Sequence, residues 1–119
     1  MVTAEGIDEL RAAGYALYPG ALGENLTTTG LDRRDLRIGS RLRAGNAVLE
    51  ISKMRIPCDT LDALNEPGLP PIQWAIFDAQ VKAGDASSPR WGLAGFYTRV
   101  LEEGMVRAGD SIELVAIAV

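Results

Sequence analysis

Histidine is absent from this chain, and cysteine occurs once, as Cys58. The first absence excludes a hydrolase that pairs serine or cysteine with an imidazole of the same chain. The two together exclude a tetrahedral zinc site of the usual kind, which draws on several cysteines and histidines. A lone thiol cannot close an internal disulfide, which suits a reducing, cytoplasmic setting. Long apolar runs are missing too. None approaches the roughly 18 residues that cross a bilayer. The N-terminus has no basic stretch followed by an apolar one, so no signal peptide is expected.

What is present is the composition of a globular protein. The 119 residues are 47% apolar and 24% charged, enough for a single domain over 1–119 with its own core. A net charge of −4 argues against nucleic acid as a partner. The charge is uneven. Residues 33–55 hold seven cations (Arg33, Arg34, Arg37, Arg41, Arg43, Lys53 and Arg55) against Asp35 and Glu50, about +5 against about −9 for the rest. Such a stretch reads either as a solvated charged hairpin or as the rim of a pocket for a small anion such as phosphate.

Local patterns place the elements. Thr3 can cap a helix over 4–13, with Ile7 and Leu10 on one face and Gly14 as its stop. Tyr18-Pro19-Gly20 reads as a turn, and Gly23–Gly30 as an ordered polar loop or short strand. Residues 41–44 and 47–54 form a hairpin closed near Gly45-Asn46. Ala47, Leu49 and Ile51 alternate with Val48, Glu50 and Ser52 at the period of a strand. Pro57 ends that strand. Residues 59–65 read as one or two helical turns, with Leu61 and Leu64 inward. Ile72, Ala75, Ile76 and Ala79 recur at helical spacing up to Gly84. Residues 85–95 read as an exposed loop, and 96–101 and 111–118 as two more strands. Leu36–Leu42 and Val106–Ile112 echo each other as apolar, Arg, x, Gly, small polar, x, apolar. Each copy looks like a turn that launches a strand, as in a barrel that repeats its corners. The expected class is a small β-barrel or an α+β domain.

Chemistry centres on Cys58, just beyond a strand end in Arg55-Ile56-Pro57-Cys58. A thiolate attacks or binds metal, and Arg55 would favour it if the side chains converge. A lone cysteine is more often an inert core residue. A metal that brings its own ligands, as molybdenum held by a pterin dithiolene does, would need only this one thiolate. Glu24, Asp32 and Asp59 offer carboxylates, but no spacing singles out a pair. The amides and hydroxyls of Gly20–Thr29 can hold a polar ligand, or simply stabilise a loop. Arg90-Trp91-Gly92 joins a cation, a flat ring and a glycine, which suits ligand contact and loop packing equally.

In order along the chain stand Pro19-Gly20-Ala21-Leu22-Gly23-Glu24-Asn25-Leu26-Thr27-Thr28, Gly30-Leu31-Asp32, Leu42-Arg43-x-Gly45, Ala47–Ile51, Arg55-x-Pro57-Cys58, Arg90-Trp91-Gly92-x-x-Gly95-Phe96-Tyr97 and Val106–Asp110. Taken together these segments resemble the MOSC domain, named for its similarity to the C-terminal part of molybdenum-cofactor sulfurases. The resemblance implies a mainly β, α+β fold: a small β-barrel with a few flanking helices. It implies binding of the molybdenum cofactor (molybdopterin), sulfur carriage, or reduction of N-hydroxylated compounds with electrons from a partner protein. At family level it also carries pyridoxal phosphate binding. Cys58 falls at the family's functional cysteine, as metal ligand or persulfide carrier. Arg55, Glu24, Asn25, Thr27, Thr28 and Arg90 fall at cofactor contacts, with Arg55 and Asn25–Thr28 facing the pterin phosphate.

The chain departs from the family pattern at its start, where further strands, including a Gly- and His-bearing segment, are usual. Without them a barrel edge is left open, and open edges pair. A homodimer or strand exchange is therefore expected. The competing readings are a non-enzymatic persulfide carrier supplied by a sulfur-donor protein, and a degenerate binding domain with an inert Cys58.

Overall fold

Thr3 sets the chain's first course. Its Oγ1 accepts a hydrogen bond from the Gly6 amide at 3.1 Å, the N-cap of helix α1 over Ala4–Ala12. Ile7 and Leu10 are buried, as their spacing predicts. The computed structural model describes residues 1–116. Ahead of α1, strand β1 (Val2–Thr3) pairs in parallel with β2 (Thr27–Thr28). Strand β2 falls within the 23–30 stretch read as a loop or short strand, whereas β1 is too short to show alternation.

The hairpin forms as expected. Strand β3 (Arg41–Ala44) runs antiparallel to β4 (Ala47–Met54), with Ala44 opposite Ala47. Gly45 has φ +54, and a Cβ there would lie 2.7 Å from the Met105 carbonyl oxygen. Both conditions require glycine. Strand β5 (Phe96–Glu102) pairs with β4, and β6 (Ile112–Ala116) pairs with β3, both antiparallel. The order is β5-β4-β3-β6. Residues 117 and 118 of the last predicted strand lie outside the described residues. The α+β class holds. A closed barrel does not form: β5 and β6 each lack a second neighbour among the described residues.

The internal echo is structural. In one copy the Ser40 amide donates to the Arg37 carbonyl at 2.9 Å, and the Arg37 amide donates to Ser40 Oγ at 3.0 Å. In the other, the Asp110 amide donates to the Arg107 carbonyl at 3.0 Å, and the Arg107 amide to Asp110 Oδ2 at 2.8 Å. Gly39 and Gly109 both take positive φ, +92 and +90. One turn leads into β3 and the other into β6, its neighbour in the sheet.

Two expectations need correction. The helix predicted from Ile72 to Gly84 breaks into α2 (Ile72–Ile76) and α3 (Ala79–Lys82), and Ala79 is exposed. Phe77 and Asp78 are extended, and Asp78 Oδ1 caps α3 by accepting from the Val81 amide at 2.9 Å. Asp78 Oδ2 also accepts from Ser88 Oγ at 2.7 Å. A side chain that satisfies both groups fixes a helix start there. The loop at 85–95 is not exposed throughout, because Ser88 and residues 91–95 are buried. Trp91 Nε1 donates to the Leu36 carbonyl at 2.8 Å, and the buried Arg33 donates to the Trp91 carbonyl at 2.5 Å while pairing with Glu9 at 2.9 Å.

The core has two parts. Ile7, Leu10, Leu22, Leu61, Ile72 and Ile76 form one cluster with contributions from α1, α2 and the two-turn 3-10 helix Asp59–Leu64. Leu36, Leu42, Ile51, Val81, Trp91 and Phe96 pack on one face of the sheet. The predicted turns at 59–65 are borne out, with Leu61 buried and Leu64 partly so.

Candidate functional site

Strand β4 ends at Met54, and Arg55-Ile56-Pro57 carries the chain across to Cys58, which opens the Asp59–Leu64 turn. Cys58 is exposed. Its Sγ lies 2.9 Å from Thr60 Oγ1. That hydrogen bond, followed by one from the Thr60 backbone and by the Arg55 charge, holds the thiol below its ordinary value, against partial desolvation and the Asp59 carboxylate. The side chain is therefore a solvent-reachable sulfur biased toward thiolate. Gln73 on α2 donates to the Cys58 carbonyl at 3.1 Å and to Asp62 Oδ1 at 2.8 Å, tying the turn to the helix.

The other predicted residues divide among three cavities. Arg55, Glu24 and Asn25 line one of about 200 Å3, together with Met1 and the start of β5. Glu24 Oε2 accepts from Thr27 Oγ1 at 2.9 Å, while its Oε1 is buried and has no partner among the described residues. Thr27 and Thr28 line a second cavity of about 760 Å3, whose opposite wall is the 106–112 turn. Asn25 and Leu26 border both, so the two spaces adjoin. Thr28 is 5% exposed, and its Oγ1 also lacks a partner. A buried hydroxyl left unpaired costs about 1–3 kcal/mol. Arg90 stands apart: it pairs with Asp78 at 3.4 Å and borders a third cavity with Trp74 and Leu93. Cys58 lines none of these cavities.

The cationic stretch is not one patch. Arg33 is buried on Glu9, Arg34 pairs with Asp32, and Arg41 pairs with Glu50, which also takes Arg99 from β5. Arg37 lies 5.8 Å from the centre of the Trp91 ring and Lys53 5.0 Å from that of Tyr97. Most of these cations serve the hairpin and core, and Arg55 lines a cavity. Among the described residues no three acidic or cysteine side chains converge on a metal position. A metal here would have to bring most of its own ligands.

A family model for the MOSC domain matches residues 1–113. The chain belongs to the MOSC domain family. It is 34% identical over 100 residues to the uncharacterized protein YflK of Bacillus subtilis, covering 84% of this chain and 39% of YflK. It is 33% identical over 97 residues to a reductase of Gibberella moniliformis, covering 81% of this chain and 15% of the reductase. The crystal structure of YiiM from Geobacillus stearothermophilus superposes with a TM-score of 0.68 at 30% identity, covering 97% of this chain and 52% of YiiM. The chain thus spans at most about half the length of these relatives. The family is associated with molybdenum cofactor binding and sulfurase-like function.

Three participants were not foreseen from sequence. Thr60 bonds the sulfur, and its only signal was a hydroxyl two residues beyond the cysteine at a helical start. Arg107 and Ser111 face the Thr27–Thr28 strand across the larger cavity, and their signal was the repeated Arg-x-Gly turn.

Proposed function

We propose that this MOSC domain binds a molybdopterin-type cofactor, with Cys58 supplying a thiolate ligand to its metal. The observation that carries this reading is an exposed sulfur biased toward thiolate by Thr60, with Arg55 near enough to add to the effect. The residues fit such a group in part: Arg55, Asn25 and the unpartnered Oε1 of Glu24 share one cavity, and Cys58, three residues beyond Arg55, offers its thiolate from outside that cavity. Thr27 and Thr28 adjoin that space; Arg90 contributes elsewhere. The smaller cavity falls below the roughly 300–1,000 Å3 of typical ligand sites. It suits part of such a molecule, with the remainder reaching past Asn25. When bound, the cofactor would supply two-electron redox chemistry, such as reduction of N-hydroxylated compounds, with electrons from a partner protein. The chain's own residues bind, orient and shield it. Retention of a reduced thiol fits a cytoplasmic setting.

A second reading has a specific observation in its favour. The same exposed, thiolate-biased Cys58 would attack the outer sulfur of a cysteine persulfide on a donor protein, forming a new S–S bond as the donor's S–S bond breaks and its cysteine leaves as thiolate, and would carry that sulfur as its own persulfide. Metal analysis of protein made in a host rich in molybdenum cofactor separates the two. Metal that disappears in Cys58→Ser supports the first, and a mass gain of one sulfur atom on Cys58 without metal supports the second. We also propose a homodimer formed along the open edges, where β5 presents Val100 and β6 presents Val115 to solvent.

A further inference from the structure

We infer that Gln73 is the positioning residue of Cys58: its side-chain amide fixes the backbone from which the sulfur projects, and so holds Sγ against Thr60. The inference rests on the proposed use of Cys58 as ligand or sulfur carrier, and adds the residue that aims it.

Cys58 needs such a support. It follows Pro57 beyond the end of β4, and its own backbone is extended, with φ −129 and ψ −178, so neither a strand nor a helix fixes it. Its carbonyl accepts from the Leu61 amide at 3.1 Å, a bond local to the turn. A second bond to that carbonyl comes from outside the turn, from Gln73 Nε2 at 3.1 Å. A primary amide nitrogen has two N–H groups, and both are spent here. The other goes to Asp62 Oδ1 at 2.8 Å. A carboxylate makes that bond the stronger of the two. Asp62 therefore anchors the amide, and the amide presents its remaining N–H to Cys58.

A tie between turn and helix exists without Gln73. At the far end of the turn, Asn65 Oδ1 accepts from the Ile72 amide at 2.7 Å. What Gln73 adds is contact with the residue that carries the sulfur. No neighbour on α2 can replace it, since the others are Ile72, Trp74, Ala75 and Ile76. Two residues past the cysteine, Thr60 Oγ1 lies 2.9 Å from Sγ. That contact requires residues 58 and 60 to keep their relative orientation, because a shift of about 1 Å breaks a hydrogen bond.

The test measures the melting temperature of the full chain and the rate at which iodoacetamide alkylates its single thiol at one neutral pH. Gln73→Glu keeps the shape but has no N–H to give, and Gln73→Leu removes the polar group without adding charge. Both should slow alkylation by about three- to tenfold, the worth of one hydrogen bond. Gln73→Glu with Asp62→Asn restores the bond to residue 62 in reverse, yet still offers Cys58 no donor. This double variant should recover the melting temperature and not the rate. Asn65→Ala should melt lower than the wild type and keep its rate. A wild-type rate in both single Gln73 variants would overturn the inference. So would a rate that returns together with the melting temperature in the double variant, or equal slowing in Asn65→Ala, since either would reduce Gln73 to a tie between turn and helix. The rates are read on protein without metal or persulfide, so they decide the role of Gln73 even if neither use of Cys58 holds.

Discussion

At the scale of single residues, the sulfur of Cys58 and the hydroxyl of Thr60 decide what the site can do. Thr60 is the largest influence that favours the thiolate, ahead of Arg55. Alkylation by iodoacetamide should therefore rise with pH around a midpoint below that of a free cysteine. Thr60→Val should move that midpoint upward and slow alkylation at neutral pH, with no change in fold by circular dichroism. Identical pH profiles for the two proteins would show that the hydroxyl has no such role. The position of Cys58 was legible, because Pro57 must end a strand and the residue after it must lie at the sheet's margin. Its exposure was not legible, since cysteine is by habit a buried residue. Thr60 was invisible for a different reason: its effect depends on the rotamer that brings Oγ1 to the sulfur.

At the scale of elements, Asp78 shows how one side chain redirects a segment. It caps α3, accepts from Ser88 and pairs with Arg90, and these partners, the Val81 amide first, hold its carboxyl below the ordinary range. A carboxyl lowered by folding stabilises the native state above its unfolded value, and that stabilisation is lost as pH falls through the lowered one. Asp78→Ala should cost about 1–2 kcal/mol at neutral pH in urea unfolding, with the difference from wild type shrinking in strong acid. A constant difference at every pH would contradict this account. The apolar spacing from Ile72 to Ala79 concealed the break, since periodicity records faces and not caps. The Gly-, Ser- and Pro-rich composition of 85–95 likewise concealed a buried turn, because Trp91 is drawn inward by Leu36 and Arg33 from distant elements. By contrast α1 and the β3–β4 hairpin follow from short-range pattern alone, and both lie where the sequence places them.

At the scale of the whole molecule, the sheet is open at β5 and β6, as the missing first strands lead one to expect, and no closed barrel forms among the described residues. Closure depends on which strands meet across the sheet, and no local pattern states that. The free edges of β5 and β6 should pair with a second copy, giving a mass of two chains by light scattering at micromolar concentration; a mass of one chain would exclude the proposed homodimer. The Arg55 cavity and the cavity walled by residues 106–112 share Asn25 and Leu26 in their linings. The account as a whole requires that the Cys58 sulfur hold a metal. Molybdenum per chain, measured by plasma mass spectrometry on protein purified from a cofactor-rich host, tests that requirement most directly. The account predicts a value near one for the wild type and a value near zero for Cys58→Ser, whereas equal metal content in the two proteins, or none in either, would contradict it.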